Sequence, residues 1–175
     1  MRRTKMPKRV MPALAAIPIW IIFYVGTLEA PEVEQTGALA VGDEIYASCS
    51  GCHGGTGGGG SGPALSGGAV LETFPAPADQ LRWIIEGTDG FNALGIETYG
   101  ATDKPVGGGG NMPAFDNLTA EELIGVVRHE RETLSGEEFD PESYAAIMEM
   151  VEAEYPDRTA EFEEAIVLFE ETDEG

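Results

Sequence analysis

Cysteine and histidine are scarce in this 175-residue chain, with two of each. His129 lies far from the other three in sequence, so a closed structural zinc site, which needs four converging ligands, is not expected. Basic residues are also sparse, ten against 31 acidic ones, and five of the ten (Arg2, Arg3, Lys5, Lys8, Arg9) fall in the first nine positions. After Leu28 only Arg82, Lys104, Arg128, Arg131 and Arg158 stand against all the acids. Such a field repels nucleic acid and anionic head groups, and it favours a basic docking surface or simple solubility in a salty medium. Strand-like alternation is nearly absent, which makes an all-α chain the expectation. The glycine tract from Gly54 to Gly68 lacks a G-K-[ST] ending, which removes a phosphate-cradling loop.

Both cysteines and one histidine are spent on a single run, Cys49-Ser50-Gly51-Cys52-His53. C-x-x-C-H is the spacing of a covalent c-type haem attachment. Near a helix end, thiols three positions apart lie on adjacent sides of one turn and can each reach a vinyl-derived carbon of one porphyrin. His53 is then left to face the iron. A thioredoxin-like C-x-x-C would need a βαβ setting, and the glycines after His53 open a helix poorly. A plain disulfide would leave His53 without a role. One covalent haem c is therefore expected, which makes the chain an electron handler.

The front end reads as a membrane signal. Residues 1–9 form a basic segment, and Val10 to Leu28 then run for 19 residues without a charge. A helix of that length spans roughly 28 Å, near the hydrocarbon thickness of a bilayer. Pro12 and Pro18 are tolerated in membrane helices. A cleaved signal peptide shares this pattern, but its apolar core is usually shorter, about 7–15 residues. The expectation is a single-pass anchor over residues 10–28, with residues 1–9 cytoplasmic and the rest on the extracytoplasmic side of the cell membrane. Residues 29–37 would be a short linker holding the following domain near the membrane surface.

The rest divides into a haem domain at 38–135 and an acidic helical extension at 136–175. The pattern predicts a helix from about Ala38 into Cys52 and a second from Pro77 to Glu86, ended by Gly87. Thr88 to Leu118 shows little periodicity and is expected to be loop. Thr119-Ala120-Glu121-Glu122 is a capping box opening a helix to about Leu134. Residues 137–175 of the extension hold 15 acids and one Arg, and Asp140-Pro141 is an N-cap with proline at N1. Tyr144, Ile147, Met148, Val151 and Tyr155, then Phe162, Ala165, Ile166 and Phe169, suit a helical hairpin. Its apolar stripes would pack back on the haem domain or dock a partner subunit.

A low-spin carrier also needs a second axial ligand. Asn111-Met112-Pro113-Ala114-Phe115 offers Met112 in irregular chain just before the capped helix, where a thioether can be presented to the open face.

With CSGCH, then Gly62-Pro63-Ala64-Leu65, then NMPAF before a terminal helix, residues 38–135 resemble a class I cytochrome c. The resemblance implies three to four helices around one haem, with Cys49 and Cys52 as thioethers. It makes His53 and Met112 the metal ligands. Pro63 would accept from the free ring nitrogen of His53, and Leu65 would pack on the haem. It also implies that the first helix crosses the last through a glycine and an aromatic. Gly42 and Tyr46 suit the first helix, but His129 stands where the last usually has an aromatic, and is read as a packing or surface histidine. Trp83 has two readings, lining the haem pocket or ordinary core packing. The stretch between Gly87 and Asn111 is longer than in many relatives.

The function this implies is single-electron transfer, with no catalytic residues. A membrane-anchored carrier would relay electrons from a quinol–cytochrome c reductase to a terminal oxidase or other reductase. The alternative is a fixed haem-bearing subunit of a larger respiratory oxidoreductase.

Overall fold

The structure is a computed structural model and describes residues 37–173, with side chains to residue 169. The expected basic segment and transmembrane anchor, and all of the linker but Gly37, lie outside the described residues. Among the described residues no helix is long and apolar enough to cross a membrane.

The chain is mostly helical. Its order is α1 (Ala38–His53), α2 (Ala69–Thr73), α3 (Pro77–Ala93), a two-strand ladder of β1 (Thr98–Tyr99) and β2 (Lys104–Pro105), α4 (Ala120–Arg128), α5 (Pro141–Glu154) and α6 (Thr159–Asp173). A π turn, His129–Thr133, prolongs α4, and a 3-10 turn, Pro156–Arg158, joins α5 to α6. The architecture is consistent with a cytochrome c fold.

The frame is set where α1 crosses α4. Ala38, Gly42 and Tyr46 recur every four residues and form the buried stripe of α1. A Cβ on Gly42 would collide with the Gly125 carbonyl and would fall 2.7 Å from His129 Cβ. Only bare backbone therefore permits this approach. Four residues on from Gly42, the Tyr46 ring meets that of His129 at 5.0 Å between centroids. His129 is 3 % exposed, so it packs at the crossing and is not a surface histidine.

Helix α4 opens as its sequence dictates. Thr119 Oγ1 accepts from Glu122 N–H at 3.2 Å, and Glu122 Oε2 accepts from Thr119 N–H at 2.8 Å. Leu123, Val126 and Val127 enter the core.

Helix α3 begins with proline at N1 and departs from expectation at its far end. Gly87 breaks it, at φ 59° and ψ −167°, but the chain resumes helical geometry to Ala93. That backbone region is essentially reserved for glycine. The stretch expected to be featureless loop thus contains the end of α3 and the β1–β2 ladder, with Thr98 opposite Pro105 and Tyr99 opposite Lys104. The missing signal is physical: two-residue strands are too short for a period. What orders them is an aromatic cluster, with Trp83 stacked on Tyr99 at 3.9 Å and edge-on to Phe91 at 4.8 Å. Helix α2 also interrupts the sequence between the two expected helices, burying Val70 and Thr73.

The acidic extension packs on the haem-domain helices, α5 against α3 and α6 against α4. Tyr144, Ile147, Val151 and Phe162 are buried in the same apolar cluster as Leu81 and Leu123. Polar ties flank this contact. Tyr155 O–H donates to Glu86 at 2.7 Å, Arg82 pairs with Glu154 at 2.8 Å, and Glu161 Oε1 accepts the Ala120 N–H at 2.6 Å. The last of these caps an orphan donor in the first turn of α4.

Candidate functional site

Helix α1 delivers Cys49, Cys52 and His53 in its last turn and a half. The chain then reverses over the glycine tract. Gly59 N–H donates to the His53 carbonyl and Gly62 N–H to the Cys52 carbonyl, at 2.8 and 2.9 Å. This brings Pro63 back over the histidine, and His53 Nδ1 lies 2.8 Å from the Pro63 carbonyl oxygen. A carbonyl can only accept, so Nδ1 carries the proton and Nε2 keeps a free lone pair. A Cβ on Gly62 would stand 2.9 Å from the imidazole ring, so the backbone passes too close for any other residue.

Met112 is held in place by α3. Its N–H donates to Thr88 Oγ1 at 2.9 Å, and its carbonyl accepts from Thr88 N–H at 2.9 Å. Phe115 N–H then bonds the Ile84 carbonyl at 3.1 Å. The break at Gly87 is what lets this segment lie against α3, since a Cβ there would fall 2.7 Å from the Met112 oxygen and the Ala114 nitrogen. Gly87 reads in sequence as a helix stop. Its further role, a latch for Met112, has no local signature.

The structure brings all six sequence-predicted residues to one cavity of about 360 Å³: Cys49, Cys52, His53, Pro63, Leu65 and Met112. Leu65 and Met112 each pack against both apolar clusters of the fold. Trp83 lines the cavity as well as packing in the aromatic cluster, which joins its two readings. His129 is not among the lining residues.

The size falls within the usual range for ligand sites, about 300–1,000 Å³. The donors are two thiols, one pre-oriented imidazole and one thioether, a set that suits covalent haem attachment and His/Met ligation. Cys49 and Cys52 are not joined to each other in a disulfide. Burial, with Glu130's charge adding to it, pushes the Cys49 thiol up to about 11. A thiol–disulfide enzyme needs the reverse, a lowered pKa. The residues present fit the haem.

The family described as cytochrome c oxidase, cbb3-type, subunit III matches residues 37–129, more than half of the chain. This chain belongs to that family. Comparison with curated proteins and with solved structures gave no match. The matched domain is a c-type monohaem cytochrome domain, and haem c is its cofactor.

Three further groups in the wall of this cytochrome domain have no motif. Lys104 Nζ donates to Thr73 Oγ1 at 2.7 Å, and both residues line the cavity. Glu130, on the π turn after α4, is 6 % exposed and also lines it. Gln80 Nε2 donates to Glu130 Oε2 at 2.7 Å, while Gln80 Oε1 accepts from Arg131 at 3.2 Å. Arg131 is itself buried and points elsewhere, to the Phe74 and Pro75 carbonyls and the Glu137 carboxylate. In sequence, His129–Thr133 reads as a polar helix end. The π turn rotates its first three residues inward.

Proposed function

We propose that the chain is a membrane-anchored, single-electron relay with His53 and Met112 as axial ligands of one haem bonded through Cys49 and Cys52. The observation that carries this reading is the shared cavity, with His53 Nε2 freed by the Pro63 carbonyl and Met112 fastened to Thr88. When bound, the haem supplies reversible one-electron chemistry at its iron. The chain's own residues position and tune it. Pro63 fixes the histidine tautomer, Leu65 and Trp83 exclude water, and the thioether of Met112 favours a raised potential. No side chain makes or breaks a bond in the relay.

The relay would take electrons from a quinol–cytochrome c reductase and pass them to a terminal oxidase or reductase, with the haem domain on the extracytoplasmic side of the membrane. A second reading, a fixed subunit of an oxidase complex, is favoured by the description of the matched family. Detergent extraction and native sizing separate the two. A free carrier runs as a small coloured particle, whereas a subunit travels with a large complex.

Met112→Ala tests the ligand set. Loss of the long-wavelength band of an iron–sulfur bond, with a lowered reduction potential, is expected. An unchanged visible spectrum would remove Met112 from the iron.

A further inference from the structure

Glu130 is a buried carboxyl in the wall of a cavity built for a redox centre, and the relay as described makes no use of it. Its hydrogen bond comes from a neutral amide, Gln80 Nε2 at 2.7 Å, and not from a cation. The adjacent Arg131 engages Glu137 through both nitrogens of its fork, at 2.6 and 2.7 Å, and so is already neutralised. From α1, Tyr46 and Cys49 face Glu130, and both lean against its charge electrostatically. His53 and Lys104, the latter bonded to Thr73, line the same cavity. Just before it in the π turn, His129 turns away toward Tyr46 and Asp43.

We propose that Glu130 is the redox-linked proton acceptor of this domain, taking one proton for each electron the haem receives. It rests on the haem occupying the cavity. An arriving electron, from the one-electron donor of the relay, adds one negative charge to a poorly hydrated space that already holds a carboxylate. Repulsion there is stronger than in water because the effective dielectric is lower. A proton from solvent then binds a Glu130 oxygen, and the cavity's net charge is unchanged. When the electron leaves to the acceptor, the same proton returns to solvent. Electron and proton balance over the cycle.

The protonation behaviour of the group agrees. Burial raises the Glu130 carboxyl to about 7, against a lowering by the Gln80 hydrogen bond, so near neutral pH the group sits where a single charge change tips it. His129 is moved the other way, since burial lowers its pKa, and it lies outside the cavity lining.

The test is potentiometric titration of the haem-loaded protein between about pH 5.5 and 8.5. The midpoint potential is expected to fall with rising pH in a window around 7. A tenfold change in proton activity converts to at most about 59 mV for one electron. Glu130→Gln, which keeps the shape and can still accept from Gln80, should flatten the curve there. Gln80→Leu removes the donor that favours the carboxylate, so the window should move to higher pH. A flat wild-type curve, a slope that survives in Glu130→Gln, or a window unmoved in Gln80→Leu would each overturn the inference. Its failure is distinct from failure of the haem reading. The former is a coloured protein whose potential ignores Glu130, and the latter is a protein that carries no haem.

Discussion

Single side chains, and in places the lack of one, decide most of the site's chemistry. Gly42 is the clearest absence, because a methyl there would overlap the Gly125 carbonyl. Overpacking of this kind costs typically about 1–3 kcal/mol, and more when backbone must move. Gly42→Ala should therefore lower the urea midpoint of the haem-loaded protein by at least that equivalent. An unchanged midpoint would mean that α1 and α4 can separate freely. Glu130 gives a prediction whose sign follows from linkage. Its folded pKa of about 7 lies above the ordinary carboxyl value, so between the two the folded chain holds a proton that the unfolded chain has lost. Stability from this group then falls as pH rises through that window. The stability of Glu130→Gln relative to the parent should grow as pH rises from 4.5 to about 7 and level off above, measured by chemical unfolding of both proteins. A constant difference would show an ordinary carboxylate.

At the scale of elements, the proposed axial side chains, His53 and Met112, depend on chain reversals. Helix α1 ends in the C-x-x-C-H run, and the glycine tract folds back to set Pro63 on His53. Helix α3 breaks at Gly87, which lets Thr88 hold Met112 through two backbone contacts, one to its N–H and one to its carbonyl. Thr88→Val keeps the shape and removes the hydroxyl acceptor. Leaving the Met112 N–H without that partner costs about 1–3 kcal/mol. The loosened thioether should let carbon monoxide reach the reduced haem faster than in the parent, as read by flash photolysis. Equal rates would show that the Thr88 hydroxyl does not hold the ligand loop. At the start of α4 the capping box is closed on both sides. Thr119→Ala should cost about 0.5–2 kcal/mol in thermal unfolding, while the absorption spectrum stays that of the parent because Thr119, unlike its neighbour Leu118, does not line the cavity.

Over the whole molecule, charge is the dominant feature. All 31 acidic residues follow Leu28, and the acidic extension lies on α3 and α4, so it shares the core of the haem domain. Electron exchange with a partner carrying a basic surface should slow as salt rises, because the Debye length shrinks from about 10 Å at 0.1 M to about 3 Å at 1 M. Stopped-flow rates that ignore salt would assign the acidity to solubility alone.

Covalent and local features were legible in the chain by itself. The C-x-x-C-H run and the capping box need only fixed spacings between neighbours, and Met112 was expected from its place in irregular chain before the capped helix. Pro63 and Leu65 came from family resemblance. Other features required distant residues to meet. The aromatic cluster of Trp83, Phe91 and Tyr99 orders a stretch with no periodicity, because its contacts are not local in sequence. Gly125 opposite Gly42, Thr88 under Met112 and His129 against Tyr46 are pairings across the fold. Glu130 looks like any solvated glutamate in a polar helix end, and only the π turn and the packing of α1 and α3 around it remove its water. Sequence thus determined which cofactor the chain holds, since bonding groups carry their own chemistry. Tertiary structure decided what surrounds that cofactor, since burial and dielectric belong to the packed assembly of residues and to none of them alone.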